Sequence, residues 1–347
     1  MPILEEIIMR RILLVVLAHY LLLIQLPPSA LGRVAKADKV AKSQGVSFKQ
    51  EAGKVEVSVE GQPFTTYYFE GYNKPVFFPL RAASGTIVTR GYPMVTDVAG
   101  EAQDHPHHKG LWFTHGDVNG VDFWSESDKT GKIVHRKFLQ VKGGLEAGVL
   151  LSENDWVMPL SPDRDKPHAG QTVLKEIREV TIHNQPGIRV MDFDLKLTAI
   201  AGPVKFGDTK EGSFGIRLAQ PFSDKNGGHM ENSQGGQGEK GCWGKSADWV
   251  DNTAKINGEE VGVAIFDHPT SFRHPTHWHV RGYTLFAVNP FGLHDFYNDK
   301  SKDGSHTLQK GQSISFRYRV YIHPGNAQDA KIPEQYKAYA TGVHFRK

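Results

Sequence analysis

From Val46 onward apolar and polar residues alternate with a period of two, and that period predicts strands almost throughout. Val55, Val57 and Val59 alternate with Glu56 and Ser58. Gln62 to Phe69 is rich in Thr and Tyr, Pro75 to Leu80 is an apolar run, and Thr86 to Thr89 follows Gly85. Ile133 to Val141 and Leu145 to Ser152 flank Lys142-Gly143-Gly144, which reads as a hairpin turn. Thr172 to His183 and Ile188 to Ile200 flank Asn184-Gln185-Pro186-Gly187, with the Pro-Gly order of a type II turn. In the second arm Met191, Phe193, Leu195 and Leu197 share one face, and Asp192, Asp194 and Lys196 share the other. Gly215 to Ala219, Val261 to Phe266 and Thr284 to Val288 are shorter strands. Ile314 to Ile322 places Ile314, Phe316, Tyr318, Val320 and Ile322 inward and Arg317 and Arg319 outward. The glycine-rich stretch Asn226 to Gly244 reads as an exposed loop or a ligand-facing flap. In the body only Ala327 to Ala340 reads as helix. These elements predict an all-β fold, a large antiparallel β-sandwich with one C-terminal helix.

The N-terminus departs from this pattern. Arg10-Arg11 precedes the apolar run Ile12 to Leu26, and Ala30-Leu31-Gly32 is a small-residue end. Residues 1–32 therefore read as a signal peptide, 33–45 as a short tail and 46–347 as a single β-sandwich domain. The apolar run is shorter than the roughly 20 residues of a membrane span, so no stable membrane anchor is expected. Export to the periplasm or beyond the cell follows as the expectation. Removing the signal leaves about 310 residues, enough for one large β domain or two smaller ones. Hydrophobic content of 39% and charge of 23% describe a globular chain. The net charge of +3 is spread without a basic stripe, which argues against nucleic acid. The one cysteine, Cys242, excludes an internal disulfide and a cysteine-based zinc cluster.

Candidate chemistry gathers in residues 104–124. This stretch holds His105, His107, His108 and His115, the acids Asp104, Asp117 and Asp122, and the tryptophans Trp112 and Trp124. Gly110 to His115 reads as a short strand with Leu111 and Phe113 on one face and Trp112 and Thr114 on the other. Two chemistries fit. Imidazoles and carboxylates suit a divalent metal at the His105–His115 cluster, though the spacing matches no strict metal signature. They also suit proton transfer to and from a sugar, with aromatic faces stacking on the pyranose. Glu211, in a polar turn leading into a strand, is the candidate opposing carboxylate. Arg81 is either a sugar or carboxylate clamp or a strand-end charge. His277-Trp278-His279 is a second histidine pair, read as pointing to opposite faces of a strand so that only one could face a site, and His277 is the one taken to do so. There is no Gly-x-Ser-x-Gly elbow, and no Gly-x-Gly-x-x-Gly opens a βαβ unit, which argues against a dinucleotide fold.

Phe78-Pro-Leu-Arg-Ala-Ala-Ser-Gly, the segment from Asp104 to Trp124, Asp208-Thr-Lys-Glu-Gly-Ser-Phe and Thr284-Leu-Phe-Ala-Val-Asn-Pro-Phe-Gly together resemble the bacterial PmoA-like family, over roughly residues 55–345. That name implies methane oxidation. A weaker resemblance is to galactose mutarotase-like supersandwiches, carried by Arg81, then His107-His108-Lys109-Gly110, then Glu211. It implies a carbohydrate substrate, in a fold that hosts epimerases, hydrolases and lyases. The expectation is an exported carbohydrate-active enzyme acting on a sugar or glycoside, with no cofactor. His107, His108, His115 and Glu211 would carry protons, and Arg81, Trp112, Asp117, Asp122, Trp124 and His277 would hold substrate. The alternatives are a non-catalytic sugar-binding module and a metal-dependent oxygenase. The sequence gives no oligomeric state.

Overall fold

The computed structural model describes residues 43–160 and 169–342, so the expected signal peptide and most of the tail lie outside the described residues. In chain order the strands are β1 (Val46–Glu51), β2 (Lys54–Val59), β3 (Gln62–Tyr68), β4 (Val76–Phe77), β5 (Leu111–His115) and β6 (Lys132–Lys142). Next come β7 (Ala147–Val157), β8 (Thr172–His183), β9 (Arg189–Ala199), β10 (Val204–Phe206), β11 (Gly212–Arg217) and β12 (His229–Asn232). The last are β13 (Trp249–Ile256), β14 (Glu259–Asp267), β15 (His277–Val280), β16 (Leu285–Asn289), β17 (His306–Leu308) and β18 (Ser313–Pro324).

They build two eight-stranded antiparallel sheets. The first has the order β1-β2-β3-β4-β5-β11-β16-β15, and the second β12-β13-β14-β18-β9-β8-β7-β6. A two-stranded ribbon, β10-β17, stands apart from both. The expected large antiparallel sandwich is therefore the observed one. Alternation explains the core between the sheets. Phe77, Leu111, Phe113 and Phe214 of the first sheet are buried with Phe193, Leu195, Phe316 and Tyr318 of the second. Phe214 contacts both Phe193 and Tyr318, with ring centroids 4.9 Å apart in each pair. Within this apolar layer Glu176 is fully buried. It accepts hydrogen bonds from Trp156 Nε1 (2.8 Å), Asn154 Nδ2 (3.0 Å) and Arg178 Nε (2.7 Å), which is how a carboxylate is tolerated there.

Both sequence-read hairpins are present. β6 pairs with β7, and β8 pairs with β9 around Gly187, whose φ is +76°. Three expectations need correcting. Asn226 to Gly244 is not a plain loop, because it contains β12 and a short helix, Gly238–Cys242. β13 was not expected, although Asn257 and Gly258, both at positive φ, form the two-residue Asn-Gly turn that marks a hairpin to β14. The C-terminal helix spans Ile332–Thr341 rather than starting at Ala327. Pro333 sits in its first turn, where a missing N–H costs nothing, and hydrogen-bonded turns occupy the residues before it.

β5 and β11 lie at the centre of the first sheet. On its outer face one row of cross-strand neighbours runs Val76, Trp112, Gly215, Ala287, His279. The two small residues leave room for the indole. A β-carbon on Gly215 would lie 2.9 Å from Trp112 Cζ2.

Candidate functional site

Trp112 is the floor of the site. Over it lies a pile of near-parallel rings. His108 is 5.1 Å from Trp112 at 15°, His105 is 4.8 Å from His108 at 4°, and Tyr283 is 5.5 Å from His105 at 6°. Trp124 meets His108 and Trp112 edge-on, and His107 meets His105 and His108 edge-on. The pile runs from a fully buried indole to Tyr283, which is 40% exposed.

Two buried arginines hold it in place. Arg217 follows Gly215 by two residues and so projects from the same outer face. Its Nη1 donates to His108 Nδ1 (3.1 Å), its Nη2 to Asp104 Oδ1 (2.8 Å), and its Nε to Thr284 Oγ1 (3.0 Å). The guanidinium also lies 4.7 Å from the centroid of the Tyr283 ring. Arg90 anchors the histidine loop. It donates to the carbonyls of Tyr92, Ala102 and His105 and to Asp104 Oδ1 at 2.5 Å.

This arrangement fixes protonation states. An arginine only donates, so His108 Nδ1 accepts, and the ring is neutral with its proton on Nε2. Burial, then His107 and Arg217, push the His108 pKa well below its ordinary value, and Nε2 is buried with no hydrogen-bond partner among the described residues. Burial, then Lys74 and His105, push His107 down to about 4. The His105 side chain is 41% exposed, its Nδ1 lies 3.1 Å from Asp104 Oδ2, and its backbone sits in the left-handed region at φ +44°. Burial raises the Asp104 pKa, but Arg217, His105 and Arg90 outweigh it, and the carboxyl lies below its ordinary value. Asp104 is thus a carboxylate that orients an accessible imidazole.

The wall beyond Trp124 is cationic. Lys74, 1% exposed, donates to the Trp124 carbonyl (3.0 Å) and to Glu126 (2.9 Å). Lys109 donates to the same carboxylate and to the Pro106 carbonyl. Across the sheet, His279 is buried in the row that contains Trp112, and among the described residues neither ring nitrogen makes a hydrogen bond of normal geometry. Burial, then Arg281, push its pKa down to about 3. Glu211, its side chain 36% exposed, lies 3.1 Å from Lys210 and within electrostatic reach of Tyr283.

The residues expected from the sequence divide accordingly. His107, His108, Trp112 and Trp124 share this site, and Glu211 approaches its Tyr283 end. Asp122 supports the site from beneath, accepting from the backbone N–H groups of Trp124 (2.6 Å) and Ser125 (3.1 Å). His115 is packed among Phe206 and Phe291, and its Nε2 bonds the Gly207 carbonyl at 2.9 Å. Burial lowers its pKa to about 4. Asp117 closes a tight turn by accepting from Gly120 N–H (2.8 Å). Arg81 lies in a separate cleft with Gln62, Pro63 and Arg189. His277 stacks on Phe296 and reaches Tyr297 Oη at 3.3 Å. Residues two apart in a strand share a face, so His277 and His279 do not point oppositely, and His279 is the one in the Trp112 row.

Sequence reasoning passed over Arg90, Arg217, Tyr283, Lys74 and Glu126. An arginine ending the Gly-rich strand Gly212–Arg217 was a local signal for one of them. Among the described residues no three His, Cys, Asp or Glu side chains converge as metal ligands. No helix among those residues is long and apolar enough to cross a membrane.

The chain belongs to DUF6807, a family of unknown function whose model matches residues 54–337. That description does not support the PmoA-like name. No curated protein matches the chain. Among solved structures it is similar to the GH36 α-galactosidase AgaA of Geobacillus stearothermophilus, at 10% identity and a TM-score of 0.39 over 81% of this chain. The chain spans 40% of the length of that α-galactosidase. It is also similar to a putative aldose 1-epimerase of Escherichia coli K12, at 12% identity and a TM-score of 0.36, over 81% of this chain and 99% of that one. A galactose mutarotase related enzyme of Lactobacillus acidophilus aligns at 10% identity and a TM-score of 0.29, over 81% of this chain and 97% of that one. Likenesses this distant carry no information about chemistry.

Proposed function

We propose that this is an exported carbohydrate-active enzyme whose site is the outer face of the first sheet around His105 and His108. The observation that supports it is the Asp104–His105 pair, next to the exposed Tyr283 end of a ring pile. Asp104 keeps a proton on His105 Nδ1, leaving Nε2 to exchange a proton with a bound molecule. Tyr283, 40% exposed at the outer end of the pile, is the aromatic group available to the C–H side of a sugar ring. Glu211 is the opposing carboxylate. His108 is a positioning residue, because its Nδ1 is occupied and its ring stays neutral. Arg217 and Arg90 keep Asp104 ionised.

The export half of the reading rests on Arg10 to Leu26 and the small residues up to Gly32. Hydrolysis, elimination and epimerisation share this proton chemistry, and product analysis separates them.

The test is a screen of sugars, uronates and glycosides followed by NMR of the products, then the same assay on variants. His105→Ala and Glu211→Ala are each expected to lower kcat by roughly 10²-fold or more, the usual worth of a positioned acid or base. Turnover of a confirmed substrate that is unchanged in both variants refutes the assignment. A sugar that binds and is recovered intact makes the surface a binding module instead.

A further inference from the structure

A second concentration of cationic groups lies in a cleft of about 240 Å³ that shares no residue with the histidine site. Its floor is Arg189, the first residue of β9, and its rim is Arg81 with the turn Ala82 to Gly85. The turn is closed by Gly85 N–H donating to the Ala82 carbonyl (3.0 Å). The backbone N–H groups of Ala83 and Ser84, at its centre, make no hydrogen bond among the described residues.

Among the described residues both guanidinium groups lack a counter-ion. Arg189 is 6% exposed, yet among the described residues its only side-chain hydrogen bond is from Nη1 to the Ile188 carbonyl (2.9 Å), and Nε is buried with no partner among them. Its guanidinium lies 6.0 Å from the Phe64 ring centroid. Among the described residues the Arg81 side chain donates only to the Gly85 carbonyl, at 3.3 Å. Neither arginine forms an ion pair among the described residues. The nearby acids are engaged elsewhere. Glu259 accepts from the hydroxyls of Ser84 (2.8 Å) and Thr86 (2.5 Å). Glu60, whose field reaches Arg189, accepts from Gln44 N–H, Gly45 N–H and Asn184 Nδ2.

A buried guanidinium is ordinarily paired, because taking its charge out of water without an acceptor is costly. The buried, unpaired Arg189 shares this cleft with the surface guanidinium of Arg81 and two free N–H groups, and together they present the donor fork that planar and tetrahedral oxyanions accept. We propose that the Arg81–Arg189 cleft binds an oxyanion, either the carboxylate or sulfate of a charged saccharide or the free anion. The site is independent of the histidine site.

Inorganic sulfate, glucuronate, a sulfated monosaccharide and neutral glucose are titrated into the ¹⁵N-labelled full chain, following the arginine Nε–Hε resonances. Saturable shifts are expected with the three anions and none with glucose. Arg81→Gln and Arg189→Gln are each expected to weaken binding roughly tenfold, the loss of one charge-assisted contact. Arg81 lies in a surface turn, so Arg81→Gln keeps the test valid if Arg189→Gln fails to fold. His105→Ala leaves this binding unchanged, which separates its failure from failure of the enzyme reading. Tighter binding of the charged saccharides than of sulfate identifies a saccharide ligand, and equal binding identifies the free anion. No saturable shift, or binding that Arg81→Gln leaves intact, overturns the proposal.

Discussion

Replacing Arg217 with methionine removes the group that ties the histidine loop to the sheet. The volume is nearly kept, but three donors are lost. His108 Nδ1 and Thr284 Oγ1 are left buried without those donors, at about 1–3 kcal/mol each. The contact with the Tyr283 ring adds about 0.5–1 kcal/mol. Two effects reduce the sum. Asp104 is 41% exposed and keeps Arg90, so its loss is small. Removing a buried guanidinium also recovers desolvation energy. The net expectation is a loss of about 3 kcal/mol, the lower end for breaking a buried pair. Urea unfolding at neutral pH, with the m-value checked for constancy, measures it. Arg217→Lys keeps the charge without the planar fork and should fall between the two. A loss below about 1 kcal/mol for Arg217→Met refutes the claim that this arginine organises the site.

Three other outcomes follow from the same contacts. Burial lowers the His115 pKa from 6.5 to about 4, so the unfolded chain takes up its proton first. Stability from this group is present above about pH 6.5 and is lost as pH falls to about 4, worth roughly 3 kcal/mol. His115→Gln should therefore flatten the fall in urea midpoint over that range, and an unchanged slope contradicts it. Gly215→Val would place a β-carbon 2.9 Å from Trp112 Cζ2 and should cost about 1–3 kcal/mol while altering the near-ultraviolet circular dichroism of the indoles. Glu176→Ala strands Arg178, Trp156 and Asn154 and should destabilise by about 3–5 kcal/mol in thermal or urea unfolding, with Glu176→Gln milder.

The strands were legible because both sheets bury one face against the other, so alternation is written along β9 and β18. β13 was harder to see, because its Trp249 to Ala254 segment is buried on both faces and carries Asp251, Asn252 and Thr253 among apolar residues. The histidine-rich loop was legible from its composition, and the Trp112 face from the period of β5. What the sequence could not provide was pairing across distance. Asp104 and Arg217 are 113 residues apart, and only the β5–β11 ladder brings them together. His115 and Asp117 are close to the cluster in sequence but serve the packing around Gly207, because β5 carries the chain through the sheet. Arg81 was separated from the site for a similar reason, since its turn leads it to Arg189 at the start of β9.

The most direct test of the central claim is a crystal structure of the protein soaked with the sugar that binds it most tightly, with anomalous data recorded. The account predicts sugar density against the Tyr283 ring, with a hydroxyl or glycosidic oxygen within hydrogen-bonding distance of His105 Nε2. Sugar density confined to another surface, or a metal ion held by the loop histidines with no sugar present, would contradict it.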